Sequence, residues 1–347
     1  MCNPITIAFV GCGFVAQQCH LPCFAANPRF AIKYLVDPHP DLVKKLARIY
    51  EVENVASSHK DIVNLPDIDA VIITLPRKLT ANVVLDFLRA GKNVFTEKPI
   101  SLNSQIMSNF IQASRLTGAY VMTGYMRQHD LGTIELRKRL RDSDLSELIS
   151  VFAYCHMGYS YASPFGDIKG ESITDIKYDF QMLPDWLTCN RENSFEQFIN
   201  VFSHITHTLE HIFEGQLTII SHSTNEHGEG FILCDLNSIS VCLELIRGKQ
   251  YNWNEGIVVT FRDHSLHLRY PAAFLRNQPA ELLVSPNSQD TSFLQYKPQW
   301  SWAFLNQTYA FYDFLMADSL VKEHDMRKAF HQVQFAEELF QQLSYDD

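Results

Sequence analysis

The sequence predicts an α/β protein in which an N-terminal domain with a parallel sheet precedes an α+β domain with an open, mainly antiparallel sheet. The first 124 residues alternate short apolar runs with helical patterns, which is typical of βαβ units. Later in the chain, strand-like runs follow one another with turn residues between them, and the helical patterns are separate from them. We therefore expect domains at residues 1–124 and 125–347.

The N-terminal elements can be assigned in order. The apolar runs predict strands at Ile5–Val10, Phe30–Val36, Ala70–Leu75, Asn93–Thr96 and Tyr120–Thr123. The stretches between them predict helices at Val15–Ala26, Asp41–Tyr50, Thr80–Ala90 and Ser104–Thr117. Gly91 and Gly118 follow two of these helices, where a helix end favours a residue that tolerates positive φ.

The C-terminal elements are of mixed type. We expect helices at Leu131–Arg141, Phe195–Phe213, Leu305–Leu315 and Asp325–Leu343, and strands at Leu148–Met157, Gln216–Ser223, Gly230–Asp235, Ser238–Ile246, Gly256–Arg262 and Ser265–Arg269. Residues 158–194 are polar and aromatic, which is typical of a lid or binding loop. Residues 277–300 are expected to be a further mobile segment.

Composition excludes several classes of protein. The chain has 29 Lys and Arg residues against 39 Asp and Glu residues, a formal net charge of −10 that disfavours nucleic acid and anionic membranes as partners. A membrane-spanning helix needs a run of about 18 apolar residues, and the sequence has none. The N-terminus lacks the pattern of a signal peptide. Eight scattered cysteines in a long chain indicate reduced thiols and a cytoplasmic protein.

A glycine motif directly follows the first predicted strand. Gly11-Cys12-Gly13-Phe14-Val15-Ala16 reads G-x-G-x-x-A, in which the first glycine allows a tight turn and the second lets the backbone approach a pyrophosphate. Phe14 and Val15 begin the helix whose N-terminal N–H groups would face the phosphates. Asp37 ends the second strand, where a carboxylate accepts hydrogen bonds from ribose hydroxyls and repels a 2′-phosphate. The motif predicts a dinucleotide cofactor, NAD in preference to NADP, although His39, Lys44 and Lys45 keep NADP possible.

Two further places carry reactive groups. Lys98, in Glu97-Lys98-Pro99, lies just beyond the fourth strand, at the sheet edge where α/β proteins bind ligands, so its ammonium could hydrogen-bond a substrate oxygen or relay a proton. In the helix Phe195–Phe213, a period of 3.6 residues places one amide and three imidazoles on one face, at Asn200, His204, His207 and His211. Such a row suits acid–base chemistry near neutral pH.

The same helix also fits a zinc peptidase. His207-Thr-Leu-Glu210-His211 matches the H-x-x-E-H pattern, which places two zinc ligands on one helix face. A zinc site would leave the nucleotide-binding half without a role, and Glu210 points about 100° away from His211 on a helical wheel. We therefore expect no metal and keep a zinc hydrolase as a lesser alternative.

Taken together, the motifs resemble the family of glucose–fructose oxidoreductase, inositol 2-dehydrogenase and MocA (Gfo/Idh/MocA). The resemblance rests on segments that occur in the order of that family: the glycine motif, His20-Leu21-Pro22, Val36-Asp37-Pro38, Thr74-Leu75-Pro76, and Ala90-Gly91-Lys92-Asn93-Val94-Phe95-Thr96-Glu97-Lys98-Pro99. It extends more loosely to Arg127 and to the helix around His204. The last of these segments, with Glu-Lys-Pro at its end, is the most specific.

The resemblance implies an NAD(P)-dependent oxidoreductase that acts on a secondary alcohol or ketone of a sugar, a cyclitol or a nucleotide-linked sugar. It implies a Rossmann domain, then a domain with a large open sheet that often forms the interface of a homodimer or homotetramer. The residues implied to contact the cofactor are Gly11, Gly13, Phe14, Val15, Asp37, Thr74, Leu75, Pro76, Glu97 and Lys98. Lys98 and His204 are the implied catalytic residues, and Arg127, Asn200 and His207 are expected to hold substrate.

The sequence also departs from the family. Asn200 replaces the aspartate of an Asp-x-x-x-His pair, and Thr80 stands where the family often has a histidine. Asn200 cannot take a proton, so His204 is the better candidate for the general acid or base. These departures indicate a divergent member and leave a second interpretation open, a non-catalytic regulatory protein that binds NAD(P) or a sugar.

Overall fold

The structure is a computed structural model that describes residues 3–158, 182–248, 253–285 and 294–345. The chain folds into two compact units. Among the described residues, the first unit contains residues 3–124, 182–185 and 307–333, and the second contains the remainder. No helix in these residues combines the length and the apolar character needed to cross a bilayer.

The first unit is built on a six-stranded parallel sheet. Its strands are β1 (Ile5–Val10), β2 (Phe30–Val36), β3 (Asn54–Ala56), β4 (Ala70–Ile73), β5 (Asn93–Thr96) and β6 (Val121–Thr123), in the spatial order β3-β2-β1-β4-β5-β6. The order reverses beside β1, as in doubly wound nucleotide-binding folds. The central β4 is buried throughout, because helices cover both faces of a parallel sheet. This sheet confirms the predicted Rossmann-type domain.

The helices of the first unit lie close to the predicted positions. A π-helical turn (Ala16–His20) leads into α1 (Leu21–Ala26), and α2 (Pro40–Ile49), α3 (Arg77–Arg89) and α4 (Met107–Thr117) follow. Gly118 ends α4 in the left-handed conformation with φ 75° and donates its N–H to Ser114 O. The expected helix end at Gly118 is therefore confirmed.

A C-terminal segment completes the core of the first unit. The structure adds residues 307–333 to this unit, whereas the sequence analysis assigned all residues after 124 to the second domain. Phe311 is fully buried and packs edge-on against Phe24 and Phe95, with ring centroids 6.2 and 5.5 Å away, and stacks on Phe30. Aromatic packing across such a long chain separation leaves no local signal in the sequence.

The second unit contains the predicted open sheet, which has eight strands. They are β7 (Leu148–Met157), β8 (Thr218–Thr224), β9 (Gly230–Leu236), β10 (Ile239–Arg247), β11 (Asn254–Phe261), β12 (Ser265–Tyr270), β13 (Glu281–Ser285) and β14 (Leu294–Tyr296), in the order β14-β13-β12-β11-β7-β10-β9-β8. Among the described strands of this second sheet, only β7 and β10 pair in parallel, and the other neighbours are antiparallel. The mainly antiparallel sheet is therefore confirmed.

Helices cover one face of this sheet. The buried side chains of β7 are Val151, Ala153 and Cys155, and α6 (Glu192–Phe213) packs against this strand. Helix α5 (Leu131–Arg141) contacts β12 and β13. Two C-terminal helices follow, α7 (Ala303–Met316) and α8 (Ser319–Tyr345), and most of their residues belong to the segment 307–333 of the first unit. The alternate residues of β7, from Ser150 to His156, lie on the opposite face and are only partly buried.

Two predictions about loops have different outcomes. Within 277–300, the expected mobile segment, residues 281–285 form β13 and residues 294–296 form the edge strand β14. The backbone of β13 pairs with β12 on one side and with β14 on the other. Most of the predicted lid, residues 159–181, lies outside the described residues. Trp186, an aromatic residue of that segment, packs edge-on against Phe195 with ring centroids 6.1 Å apart.

Candidate active site

Parallel register brings the predicted cofactor residues of the first unit to one edge of the sheet. Val10 is paired with both Val36 and Ile73, and Ile73 is paired with Thr96. The residues that follow these four positions are the glycine motif, Asp37, Thr74 and Glu97. They therefore emerge together at the carboxyl ends of the strands, where open α/β sheets bind ligands.

The turn after β1 depends on a glycine with positive φ. Gly11 has φ +88°, and a Cβ there would lie 2.5 Å from Thr74 O. Its N–H donates to Val36 O at 2.8 Å, and its carbonyl accepts the Thr74 hydroxyl at 2.6 Å. Thr74 thus supports the turn from β4, and a side chain at position 11 would displace it.

Gly13 leaves space where a phosphate would lie. A Cβ built on Gly13 would meet no atom within 4 Å. Phe14 and Val15 begin the helical turn after it, and Gln17 secures this turn by donating its N–H to Gly13 O and its side-chain amide to Cys12 O. An open backbone at a helix N-terminus suits a pyrophosphate, so the residues present fit a dinucleotide.

Asp37 presents a mostly buried carboxylate at the end of β2. Its Oδ2 accepts the Cys12 N–H at 2.9 Å, and its Oδ1 accepts both the backbone N–H of His39 at 3.0 Å and the ring Nδ1–H at 2.7 Å. The Asp37 side chain is 10% exposed and that of His39 is 28% exposed. The carboxylate is therefore fixed in orientation before any cofactor binds.

Leu75 and Pro76 connect β4 to α3. The Leu75 Cδ2 atom would lie 3.0 Å from a Cβ at Gly11, so it borders the glycine turn. Pro76 immediately precedes the first residue of α3. Thr80, which stands where the resemblance leads one to expect a histidine, is 2% exposed and donates its hydroxyl to the carbonyl oxygens of Leu75 and Pro76, each at 3.4 Å.

Glu97 and Lys98 follow β5, and the Glu97 carboxylate is held on two sides. His20 donates from Nε2 to Glu97 Oε1 at 2.6 Å, and the Lys98 backbone N–H donates to Oε2 at 3.1 Å. The His20 side chain is only 1% exposed and its ring packs edge-on against Phe95. A Cβ on Gly124 would lie 3.3 Å from Glu97 Oε1, so this glycine leaves room for the carboxylate.

The role of His20 was not foreseen beyond its place in the family segment. A histidine in the first helical segment gives no sign of its partner, because Glu97 lies 77 residues further along the chain, after β5. The backbone N–H of Lys98, the predicted reactive residue, donates to the Glu97 carboxylate, and His20 holds that carboxylate in place.

The row of imidazoles on α6 is more buried than a solvated helix face would be. His207 is 2% exposed, while Asn200, His204 and His211 are partly buried. Tyr125 stacks on His207 with ring centroids 4.0 Å apart and 8° between planes, and meets His204 edge-on at 6.1 Å. The sequence analysis did not single out Tyr125, and only its position two residues after the end of β6 could have suggested it.

Arg127 is a structural residue of the second unit. Its Nη2 donates to Glu255 at 2.6 Å and to Pro271 O at 2.9 Å, and its guanidinium lies 4.6 Å from the Tyr270 ring centroid. Both side chains of the ion pair are buried, at 3% and 0% exposure. The structure therefore explains Arg127 through protein contacts, and its predicted contact with substrate stays a prediction.

The geometry of α6 does not suit the zinc-peptidase alternative. Glu210, which would serve as the general base, is 1% exposed and accepts the Leu217 N–H at 2.9 Å. In the part of the chain that the structure describes, no three His, Cys, Asp or Glu residues are grouped to hold a metal ion. His211 instead lies 3.5 Å from an Arg137 nitrogen.

Comparison with known proteins finds a family model that matches the first unit. Residues 5–125 match the model of the GFO_IDH_MocA family, described as an oxidoreductase family with an NAD-binding Rossmann fold. Residues 5–125 are therefore similar to the Gfo/Idh/MocA oxidoreductases. The resemblance seen in the sequence is thereby confirmed, and the glycine turn, Asp37 and Thr74 lie within the NAD-binding fold of this family.

Individual relatives are distant. The chain is 26% identical over 180 residues to dTDP-3,4-didehydro-2,6-dideoxy-α-D-glucose 3-reductase of Actinomadura kijaniata, covering 50% of this chain and 53% of the relative. It is 25% identical over 223 residues to inositol 2-dehydrogenase/D-chiro-inositol 3-dehydrogenase of Shouchella clausii, covering 62% of each. The chain spans about half the length of the curated relatives it matches.

Similarity of fold extends over nearly the whole chain. A 3-ketoreductase of Actinomadura kijaniata, crystallised with NADP and TDP-benzene, has a TM-score of 0.73 at 16% identity and covers 96% of both chains. At this identity the comparison establishes the fold alone. The similarity of fold therefore extends to the second unit and its eight-stranded sheet.

Proposed function

We propose that the protein is an NAD(P)-dependent oxidoreductase that transfers a hydride between the nicotinamide and a secondary alcohol or ketone of a sugar-like substrate. The observation that carries the proposal is the segment Glu97-Lys98-Pro99 at the carboxyl end of β5, on the same edge of the sheet as the Gly11 turn. A lysine here places its ammonium at the edge where open α/β sheets bind ligands. Its backbone is also held by a buried His20–Glu97 pair.

Cofactor binding is assigned to the first unit. In this proposal the Gly11–Val15 turn holds the pyrophosphate, Asp37 receives the adenosine ribose, and Thr74, Leu75 and Pro76 line the adjacent strand end. A bound nicotinamide cofactor supplies or accepts the hydride at its C4 atom. NAD is favoured by the carboxylate of Asp37.

Lys98 and His204 are assigned to the proton chemistry. Lys98 would hydrogen-bond the reacting oxygen of the substrate and stabilise the charge that develops there. His204 would give or take the hydroxyl proton, because an imidazole titrates near neutral pH and Asn200 cannot exchange a proton. Asn200 and His207 would orient other hydroxyl groups, with the ring of His207 fixed by its stacking on Tyr125.

The proposed substrate class is supported by the names of the curated relatives. The Actinomadura relative is named for reduction of a dTDP-linked sugar, and others are named for dehydrogenation of inositol. We therefore propose a sugar, cyclitol or nucleotide-linked sugar as substrate. The reduced cysteines expected of the sequence support a cytoplasmic location.

Cofactor titration followed by a substrate panel tests the proposal. NADH and NADPH binding is measured by nicotinamide fluorescence, and turnover by absorbance of the reduced cofactor with sugars, cyclitols and nucleotide sugars. We expect Lys98→Ala to lower kcat at least about 100-fold, the contribution typical of a proton-transfer group. Its NADH affinity should stay within about tenfold of wild type, roughly 1.4 kcal/mol.

The control is Lys297→Ala, which removes an exposed lysine of the second unit. It should retain full kcat. Wild-type turnover in Lys98→Ala would contradict the mechanism, and failure to bind either cofactor would contradict the proposed function itself.

A second function is favoured by one residue. Asn200 stands in place of the family carboxylate, as expected if catalysis were lost and the fold kept for regulation. Tight cofactor binding without turnover on the full panel would favour such a sensor. Retention of both Lys98 and His204 favours the enzyme.

We further propose that the open face of the eight-stranded sheet joins copies of this chain into a homodimer or homotetramer. Cross-strand pairing places Leu233, Cys242, Phe152, Val258, His267 and Leu283 in one row across six strands. Phe231 and Leu233 are 49% and 39% exposed on this face. A mostly apolar row of partly exposed side chains favours an interaction surface, and an isologous interface uses the same face of both copies.

Oligomeric state tests this interface directly. Leu233→Arg should shift the sedimentation coefficient of the purified protein towards that of the monomer. Association through this face would bury the arginine charge without a counter-charge. Leu116→Arg is the matched control, since Leu116 is 78% exposed on α4 of the other unit. A monomeric wild type, or an oligomer unaffected by Leu233→Arg, would refute the interface.

A further inference from the structure

Asp37 accepts hydrogen bonds at most of its available positions. A carboxylate offers about four lone-pair positions, two on each oxygen. The two N–H groups of His39 occupy Oδ1, and the Cys12 N–H occupies one position on Oδ2. One position on Oδ2 is therefore left in the described structure.

A ribose bound to this aspartate needs two such positions. The 2′- and 3′-hydroxyls of an NAD adenosine each donate one hydrogen bond to the carboxylate. With the His39 ring on Oδ1 only one hydroxyl is accommodated, so NAD must either displace the ring or forgo a hydrogen bond. Removing the His39 side chain would free one position on Oδ1, while the backbone N–H would keep the other. Two positions on Asp37 would then be open to the ribose hydroxyls.

The same ring is suited to a 2′-phosphate. In its imidazolium form, histidine donates from both nitrogens, so Nδ1 can remain on Asp37 while Nε2 faces an anion. The ring is 28% exposed, and α2 begins at the next residue, Pro40, with its N-terminus towards the same end of β2. Asp41 in the first turn of α2 opposes a phosphate, whereas Lys44 and Lys45 lie further along the helix.

We propose that His39 determines the choice between NAD and NADP in this chain: its imidazole competes with the 2′-hydroxyl for Asp37 and donates to a 2′-phosphate. This inference rests on the proposed function, since it requires a bound dinucleotide. His39 thereby offsets the preference for NAD that an aspartate at position 37 would otherwise impose.

Calorimetric titration with NADH and NADPH measures the effect without turnover. In His39→Ala the ratio of the NADPH to the NADH dissociation constant should rise at least fivefold over wild type, through weaker NADPH binding and equal or tighter NADH binding. His39→Asn should weaken NADPH binding but leave NADH binding near wild type, because its amide nitrogen can still donate to Asp37 but no second nitrogen stands in the place of the imidazole Nε2. Both substitutions are at a partly exposed turn, and far-ultraviolet circular dichroism checks their folding.

His59→Ala is the matched control. His59 also pairs with a carboxylate, that of Asp86 at 2.8 Å, and is similarly exposed at 18%, but its partner is on the last turn of α3. This variant should bind both cofactors as wild type does. A ratio change below fivefold in His39→Ala, with wild type binding either cofactor, overturns the inference alone. A wild type that binds neither cofactor overturns both this inference and the proposed function.

Discussion

The buried ion pair of the second unit gives the sharpest prediction about stability. Glu255→Gln keeps an oxygen that can accept from Arg127 and from the Trp253 indole N–H, which donates to Glu255 at 2.8 Å. It removes only the negative charge beside the guanidinium. The exposed fractions of the two side chains, 3% and 0%, mean that water cannot replace that charge.

The expected magnitude follows from the geometry. At the observed 2.6 Å separation, two unit charges attract by about 6 kcal/mol at an effective dielectric constant of about 20. Retained hydrogen bonds and the Tyr270 ring offset part of the loss. Removing one partner of a buried pair typically costs about 3–5 kcal/mol, and we expect Glu255→Gln to fall in this range.

Differential scanning calorimetry measures this cost. For a domain of about 150–250 residues, 1 kcal/mol lowers Tm by about 2–4 °C, so the transition of the second unit should fall by about 6–20 °C. Glu281→Gln is the matched control, because Glu281 forms an exposed pair with Lys297 that should contribute less than about 1 kcal/mol. Equal transitions in the two variants would refute the reasoning that Arg127 depends on a buried counter-charge.

Three other outcomes are expected. Gly13→Ala should keep the wild-type Tm, since its Cβ meets open space, but should weaken NADH binding at least about tenfold by filling the phosphate position; fluorescence titration and calorimetry check both. Phe311→Ala should lower the unfolding free energy of the first unit in urea by about 3–5 kcal/mol, unlike Tyr309→Ala at a more exposed position. Burial lowers the pKa of His129 to about 4, so the unfolded chain binds the extra proton between about pH 6.5 and 4. Stability should therefore fall on acidification through this window, by up to about 3 kcal/mol, and less in His129→Gln when urea midpoints are compared.

Much of the fold could be predicted because buried parallel strands read as apolar runs. The strands β1, β2, β5 and β7 and the helix α5 have the predicted bounds. The missed strand β3 has three residues, and its Val55 is 46% exposed, so hydrophobicity gave no signal. Its existence depends on backbone pairing with β2, which a local pattern does not encode.

The residues of the candidate site could also be predicted only where a local sequence carries the signal. The glycine turn and the Glu-Lys-Pro segment are local sequences, so their residues could be named. The partners that hold these residues were not evident, because His20 meets Glu97, and Tyr125 meets His207, only through tertiary packing. For Arg127, the sequence suggested contact with substrate, but it gave no sign of the ion pair with Glu255. That partner lies on β11, 128 residues further along the chain.

The packing of Phe311 has a consequence for synthesis of the chain. A ribosome releases Phe24, Phe30 and Phe95 long before residues 307–333, so the nascent first unit presents an uncovered aromatic surface until translation is almost complete. Binding of a chaperone to stalled nascent chains should accordingly persist well beyond residue 124. A fragment cut at Gly124 would keep that surface exposed and would aggregate rather than serve as an isolated nucleotide-binding domain.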